Sequence, residues 1–92
     1  MKQSEVLASL KRYVSHEILD GKDIGLDGST PLLEWGIINS MEMARLVSFI
    51  EDRFGVEIPG EKIVFEYFRD LTTITSLVLE LAQADLAKPR KA

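Results

Sequence analysis

The sequence predicts an all-α fold, a small four-helix bundle with a long first loop and a short third helix. Three observations lead there. Apolar residues recur at helical spacing in three separate stretches, strand-like alternation is confined to the few residues of "FGVEIP", and a glycine-rich connection parts the first two helical stretches. The chain has 92 residues, the length of one domain. Residues 1–86 are expected to form it. Residues 87–92, "AKPRKA", hold Pro89 and three basic side chains and are expected to be a frayed basic tail.

The first helix is predicted over residues 4–19. Val6, Leu7, Leu10, Tyr13, Val14 and Ile18 follow the i, i+3, i+4 rhythm of one buried face, with Ser4 as N-cap and Gly21 just past the end. His16 falls off that stripe and should face solvent. Residues 20–39 form a connection with four glycines and one proline. It is too apolar for disorder, because Ile24, Leu26, Leu32, Leu33, Trp35, Ile37 and Ile38 can pin it to the core, with Trp35 expected as a core anchor rather than a ligand platform. Thr30-Pro31 predicts a short helical turn that Gly36 closes.

The clearest helix is residues 40–54. Met43, Leu46, Val47, Ile50 and Phe54 share a face that Phe49 widens, while Met41, Arg45, Ser48 and Asp52 lie mostly on another, and Gly55 suits the C-terminal cap. Pro59-Gly60 then signals a turn. Phe65, Tyr67 and Phe68 suggest a short helix or an irregular aromatic segment. Thr72 or Thr73 can cap a last helix carrying Ile74, Leu77, Val78 and Leu81.

Composition removes whole classes of function. There is no cysteine and one histidine, so disulfides, thiolate metal sites, a cysteine nucleophile and a multi-histidine metal site are excluded. The net charge of −4 argues against nucleic acid or an anionic membrane as the main partner. No apolar run nears the ~18 residues of a membrane span, and Lys11 and Arg12 interrupt any leader-like stretch, so a cytoplasmic protein is expected. "GLDGSTP" lacks the lysine and spacing of a phosphate loop, and Asp20, Asp23 and Asp27 lack the closing glutamate of a calcium loop. The remaining carboxylates read as solvated surface. No metal set and no catalytic constellation emerges, and an enzyme is not expected.

Asn39 and Ser40 stand at the start of the second helix. Asn39-Ser40-Met41-Glu42 has the form of a capping box, with Asn39 at the cap and Glu42 three residues on. Ser40 then sits at the first helical position with its hydroxyl spare. Free N–H groups and the helix dipole there favour a negative group such as a phosphodiester. Spacing alone leaves two readings open: part of a cap, or an attachment point.

The ordered set of segments resembles the acyl carrier and peptidyl carrier proteins. "TPLLEWGIINSMEMARLVSFIEDRFGVEIP" followed by "FRDLTTITSLVLEL" carries the resemblance. Trp35-Gly36-Ile37 stands for the family's loop end, Asn39-Ser40-Met41 for its Asp-Ser-Leu, Phe54 to Pro59 for its helix exit, and Leu71-Thr72-Thr73-Ile74 for the start of its last helix. The likeness spans about residues 5–83. It implies an acyl-carrier-type four-helix bundle that is not an enzyme. A 4'-phosphopantetheine would be attached to Ser40 by a phosphopantetheinyl transferase from coenzyme A, with Asn39 as the helix cap beside it. The arm's thiol would carry an acyl or aminoacyl group as a thioester. An adenylating or acyltransferring enzyme would load it, and synthase or tailoring enzymes would use it. Tethering raises the cargo's effective concentration at each enzyme.

The resemblance also places partner contacts on Met41, Ala44, Arg45, Ser48, Glu51 and Asp52 of the second helix. Asn39 departs from the usual aspartate, and Arg45 from a position often acidic in fatty-acid carriers. Over residues 40–54, Glu42, Glu51 and Asp52 against Arg45 and Arg53 leave a net charge of −1. So mild a charge points to a discrete carrier of a specialised pathway, of nonribosomal peptide or polyketide (antibiotic-type) biosynthesis, and a monomer is expected because the predicted apolar faces can all be buried within one four-helix unit. D-alanyl carriers of cell-wall modification, with similar spacing, are the alternative, and an unmodified helical adaptor binding through the second helix is another.

Overall fold

Apolar periodicity becomes three α-helices around one core in the computed structural model, which describes residues 1–22 and 24–87. Helix α1 spans Gln3–Tyr13, α2 Ser40–Phe54 and α3 Leu71–Ala87. Among the described residues there is no strand. Val6, Leu10 and Val14 from α1 and the turn after it, Met43, Leu46, Val47 and Ile50 from α2, and Leu71, Ile74, Leu77 and Val78 from α3 are buried together with Phe68. Each such aliphatic side chain contributes on the order of 1.5–3 kcal/mol when fully buried. The faces predicted from spacing are therefore the ones that meet.

Helix α1 differs from its prediction at both ends. It starts at Gln3, with Lys2 at the N-cap and no side-chain cap bond, so Ser4 lies inside the helix. The Lys2 carbonyl accepts the Glu5 and Val6 N–H groups, both at 3.1 Å, and the first turn closes without a serine. Past Tyr13 the chain widens into a π-helical turn, Val14–Ile18, where the Leu19 N–H reaches the Val14 carbonyl five residues back at 2.9 Å. The wide turn keeps Val14, Ile18 and Leu19 all against the core. Tyr13 stacks on Phe49 of α2, ring centroids 4.2 Å apart, and Phe49 meets Phe54 edge-on at 6.2 Å. His16 is exposed, as its place off the stripe predicts.

The expected short third helix is reduced to two single 3₁₀ turns, Gly60–Lys62 and Phe65–Tyr67. Val64, extended at φ −136° and ψ 158°, separates them, so no continuous α-helix forms there. The described chain thus has three α-helices and two short turns, and a fourth helix is not found among these residues. Helix α3 begins at Leu71, one residue ahead of Thr72 and two ahead of Thr73, the two threonines expected as its cap. Asp70 caps it instead: one carboxylate oxygen accepts the Thr73 N–H at 2.7 Å. Burial pushes the Asp70 carboxyl up. The Thr73 backbone and hydroxyl bonds and the Arg69 guanidinium outweigh it and hold the pKa below the ordinary value. Buried Thr75 returns its hydroxyl to the Leu71 carbonyl at 2.8 Å, so no polar group is stranded in that face. The tail expected over residues 87–92 lies, beyond Ala87, outside the described residues.

The long first loop is pinned largely as expected. Leu26, Leu32, Ile37 and Ile38 are buried and Leu33 is half-buried. Ile24 and Trp35 do not join them: they are 41% and 61% exposed, which overturns the reading of Trp35 as a core anchor. Where the loop passes α3, the Gly28 carbonyl accepts the Thr72 N–H at 3.0 Å. A side chain on Gly28 would collide with the Thr72 hydroxyl, so the close approach needs glycine.

Candidate functional site

The backbone of Leu32 is the junction that places the start of α2. Its N–H donates to the Arg69 carbonyl at 2.9 Å, and its own carbonyl accepts the Ile37 and Ile38 N–H groups at 2.8 and 3.2 Å. Between these bonds the chain makes the helical turn that Thr30-Pro31 predicts. Trp35 N–H donates to the Pro31 carbonyl at 3.0 Å, and Gly36 closes the turn at φ +70°, a conformation that suits a residue without Cβ. Ile37 and Ile38 then plug into the core and carry the chain to Asn39 in a fixed direction.

Asn39 is the N-cap of α2, extended at φ −115° and ψ −173°. Its side-chain oxygen accepts the Glu42 N–H at 3.0 Å, and the Glu42 carboxylate accepts the Asn39 N–H at 3.1 Å, which completes the predicted capping box. The Asn39 and Glu42 N–H groups are thereby satisfied, while those of Ser40 and Met41 stay open at the positive end of the helix dipole. Ser40 is exposed at the first helical position, and its hydroxyl has no partner among the described residues. The cap therefore does not use the serine.

The six residues expected to meet partners divide. At 100° per residue they fall on one side of α2 with Ser40. Met41, 75% exposed, stands beside the serine, and Ala44, Arg45, Ser48 and Asp52 are exposed along the same face. Glu51 is engaged elsewhere: half-buried, it accepts the Ile58 N–H on one carboxylate oxygen at 3.0 Å and fastens the segment that leaves α2. That segment turns at Gly55, φ +69°, as the C-cap prediction requires. Residues that sequence reasoning missed are also near the surface. Trp35, and Phe65 at 58% and Val64 at 38% exposure, project large apolar side chains into solvent. The signal for Trp35 was its seat between Glu34 and Gly36 in a tight turn, where the flanking residues are themselves exposed.

Residues 10–81 match the phosphopantetheine attachment site family. The chain is 31% identical over 74 residues, 80% of this chain and 85% of the other, to the probable acyl carrier protein PigG of Serratia sp. (strain ATCC 39006). In three dimensions it is similar, with a TM-score of 0.71 and 36% identity, to a chain from a structure described as the crystal structure of an FAD-dependent dehydrogenase, over 76% of this chain and 99% of that one. Among the described residues, no helix is long and apolar enough to cross a membrane. Carrying most of the family's length and its helical scaffold, this chain belongs to the acyl and peptidyl carrier proteins, which are not catalysts but bear a covalent 4'-phosphopantetheine.

Proposed function

We propose that Ser40 is the residue that takes the phosphopantetheine, and that the chain presents an acyl or aminoacyl cargo to the enzymes of a specialised biosynthetic pathway of nonribosomal peptide or polyketide type. One observation carries the site: an exposed, unpartnered hydroxyl stands at the first position of α2, beside a capping box that is complete without it. The residues fit the group. A phosphodiester on Ser40 would lie against the open Ser40 and Met41 N–H groups at the positive helix end, and nothing buried would be displaced. In the modification, the Ser40 oxygen forms a bond to the phosphorus that carries the pantetheine. The pyrophosphate bond of coenzyme A breaks, 3',5'-ADP leaves, and the serine proton passes to the transferase. When attached, the group supplies the thiol on which cargo is held as a thioester.

This chain's own work is placement. Leu32, the Pro31–Gly36 turn and the Asn39–Glu42 box fix where the arm is rooted. Met41, Ala44, Arg45, Ser48 and Asp52 offer a mixed, nearly neutral face to a docking enzyme. That modest charge supports a specialised carrier over a general fatty-acid one. The partners are a phosphopantetheinyl transferase, an adenylating or acyltransferring loading enzyme, and tailoring enzymes. The similarity to a chain from a dehydrogenase structure supports an FAD-dependent dehydrogenase among the last.

Intact mass after incubation with coenzyme A and a broad-specificity transferase tests the site. The wild type should gain one phosphopantetheine and Ser40→Ala none, with helical circular dichroism retained. A gain on the variant would move the site elsewhere, and no gain on the wild type with several transferases would end the carrier reading of this chain.

A further inference from the structure

Helix α1, the π-helical turn that follows it and the second half of α2 enclose a groove of about 300 Å³, lined by Arg12, Tyr13, His16, Glu17, Phe49 and Arg53. Tyr13 and Phe49, stacked and half-buried, give it an apolar wall. Arg12, His16 and Arg53 are exposed around that wall. The two arginines against Glu17 leave the groove net positive, in a chain whose overall charge is −4. Among the described residues, no ion pair or side-chain hydrogen bond engages Arg12, His16 or Arg53. Arg53 meets only the Phe54 ring, 5.8 Å from its centroid. The fold therefore leaves these cations unspent.

The groove is remote from the attachment serine. At 100° and 1.5 Å per residue, Phe49 and Arg53 lie about 180° and 220° round α2 from Ser40, and about 14 and 20 Å along it. A second observation marks the same place. Its α1 wall stands where the α-helix gives way to the π-helical turn Val14–Ile18, and such turns recur at functional sites. Here the wide turn keeps Val14, Ile18 and Leu19 on the core and leaves His16 and Glu17 exposed on the groove.

We propose that this groove binds a mononucleotide, with Arg12 and Arg53 holding its phosphate monoester and Tyr13 and Phe49 receiving its base. Guanidinium forks match phosphate oxygens, and a planar ring gains from aromatic and guanidinium faces together. His16 adds a further ring-nitrogen contact for the phosphate, and the Glu17 carboxylate is an acceptor for ribose hydroxyls. The volume is at the small end for ligand sites, which suits one nucleotide, and the acidic chain is unsuited to a polynucleotide. The site stands apart from the phosphopantetheine reading and does not depend on it.

The probe is adenosine 5'-monophosphate, titrated into the full chain and followed by amide chemical shifts in NMR. Saturable binding is expected, with the largest shifts at Arg12, His16, Phe49 and Arg53. Adenosine alone and inorganic phosphate alone should each bind about tenfold more weakly or worse, since each reaches one half of the site. Arg12→Gln and Arg53→Gln change exposed side chains, so both should fold, as circular dichroism checks. Each should weaken the nucleotide about tenfold, while Ser40→Ala binds as wild type does. Shifts confined to Ser40 and Met41 would put the phosphate on the open N–H groups of α2 and overturn the groove. Absence of saturable binding, or full affinity in both arginine variants, would overturn it as well. Inorganic phosphate or benzoate bound as tightly as the nucleotide would overturn the assignment of its ligand.

Discussion

Helices α2 and α3 begin in the same way and serve different ends. Each starts after an Asx residue whose side-chain oxygen accepts the N–H three residues on, Asn39 from Glu42 and Asp70 from Thr73. The residues just past the cap separate them. After Asp70 comes Leu71, fully buried, with Thr72 tied to the Gly28 carbonyl, so this helix start is welded into the core. After Asn39 come Ser40 and Met41, both exposed and both with open N–H groups. A cap is thus a local device that says nothing by itself about function. Function shows in whether the first helical residues are consumed by the fold or left for something else.

The sharpest way to break the comparison is to remove the residue after each cap. Leu71→Ala should cost about 2–5 kcal/mol, the range for truncating a fully buried leucine, measured by chemical denaturation. Ser40→Ala should leave the denaturation midpoint close to the wild type while abolishing phosphopantetheine incorporation entirely. If the serine variant lost stability on the scale of the leucine variant, its hydroxyl would have a structural role that the geometry denies.

Next in size is the tie between loop and α3. Gly28→Ala must push against the Thr72 hydroxyl and disturb the bond from Thr72 N–H to the Gly28 carbonyl. We expect a loss of roughly 1–3 kcal/mol, typical of overpacking, and partial recovery in the double variant Gly28→Ala with Thr72→Ala. A single variant as stable as wild type would show that the loop has slack at this crossing. The corresponding α2 approach has no such crossing, since its loop is held through Leu32 and Gly36.

The two caps should differ in their response to acid. Asp70 has its pKa lowered in the folded state, so its contribution is present above the unfolded value and is lost as pH falls through the folded value. Asp70→Asn should therefore flatten the loss of stability below pH ~4, the ordinary carboxylate range. Truncation to alanine at either cap should cost about 0.5–2 kcal/mol near neutral pH. An acid limb unchanged by Asp70→Asn would show that other carboxylates dominate it.

Much of this contrast was legible in the sequence, and the parts that were not have a common cause. The capping box at Asn39, the Pro31–Gly36 turn and the buried faces of the helices arise from local spacing, which the sequence carries directly. Ser4 is the one cap-type residue near the start of α1, yet the helix begins ahead of it, whereas at α3 Asp70, Thr72 and Thr73 all suit a cap and tertiary contacts choose Asp70. Leu71 had to be inside α3 to bury itself, and that moved the cap back to Asp70. Size and hydrophobicity alone would place Trp35 in the interior. Its turn nevertheless points it outward, and the core is already filled by Leu32, Ile37 and Ile38. Between α2 and α3 the irregular aromatic segment is the alternative that forms, with Val64 extended between two 3₁₀ turns.

The smallest expected effect tests why α2 has asparagine where the family usually has aspartate. Asn39→Asp keeps an acceptor for the Glu42 N–H and adds a negative charge at the positive end of the helix, worth about 0.3–1 kcal/mol where it is uncompensated. The Glu42 carboxylate, bonded to the Asn39 N–H, opposes that gain. In the unmodified protein the two should nearly cancel. With a phosphodiester on Ser40 a second negative group joins the same helix start, so the substitution should turn destabilising by a few tenths to about 1 kcal/mol at low salt, and the penalty should shrink in high salt. Thermal melts of both forms of wild type and Asn39→Asp measure this. A shift identical in the modified and unmodified proteins would mean that the phosphodiester does not share the helix start with residue 39. The neutral cap would then have no electrostatic reason to be there. A shift confined to the modified form would make Asn39 the complement of Ser40, a cap that closes the helix without competing for the charge the serine is meant to carry.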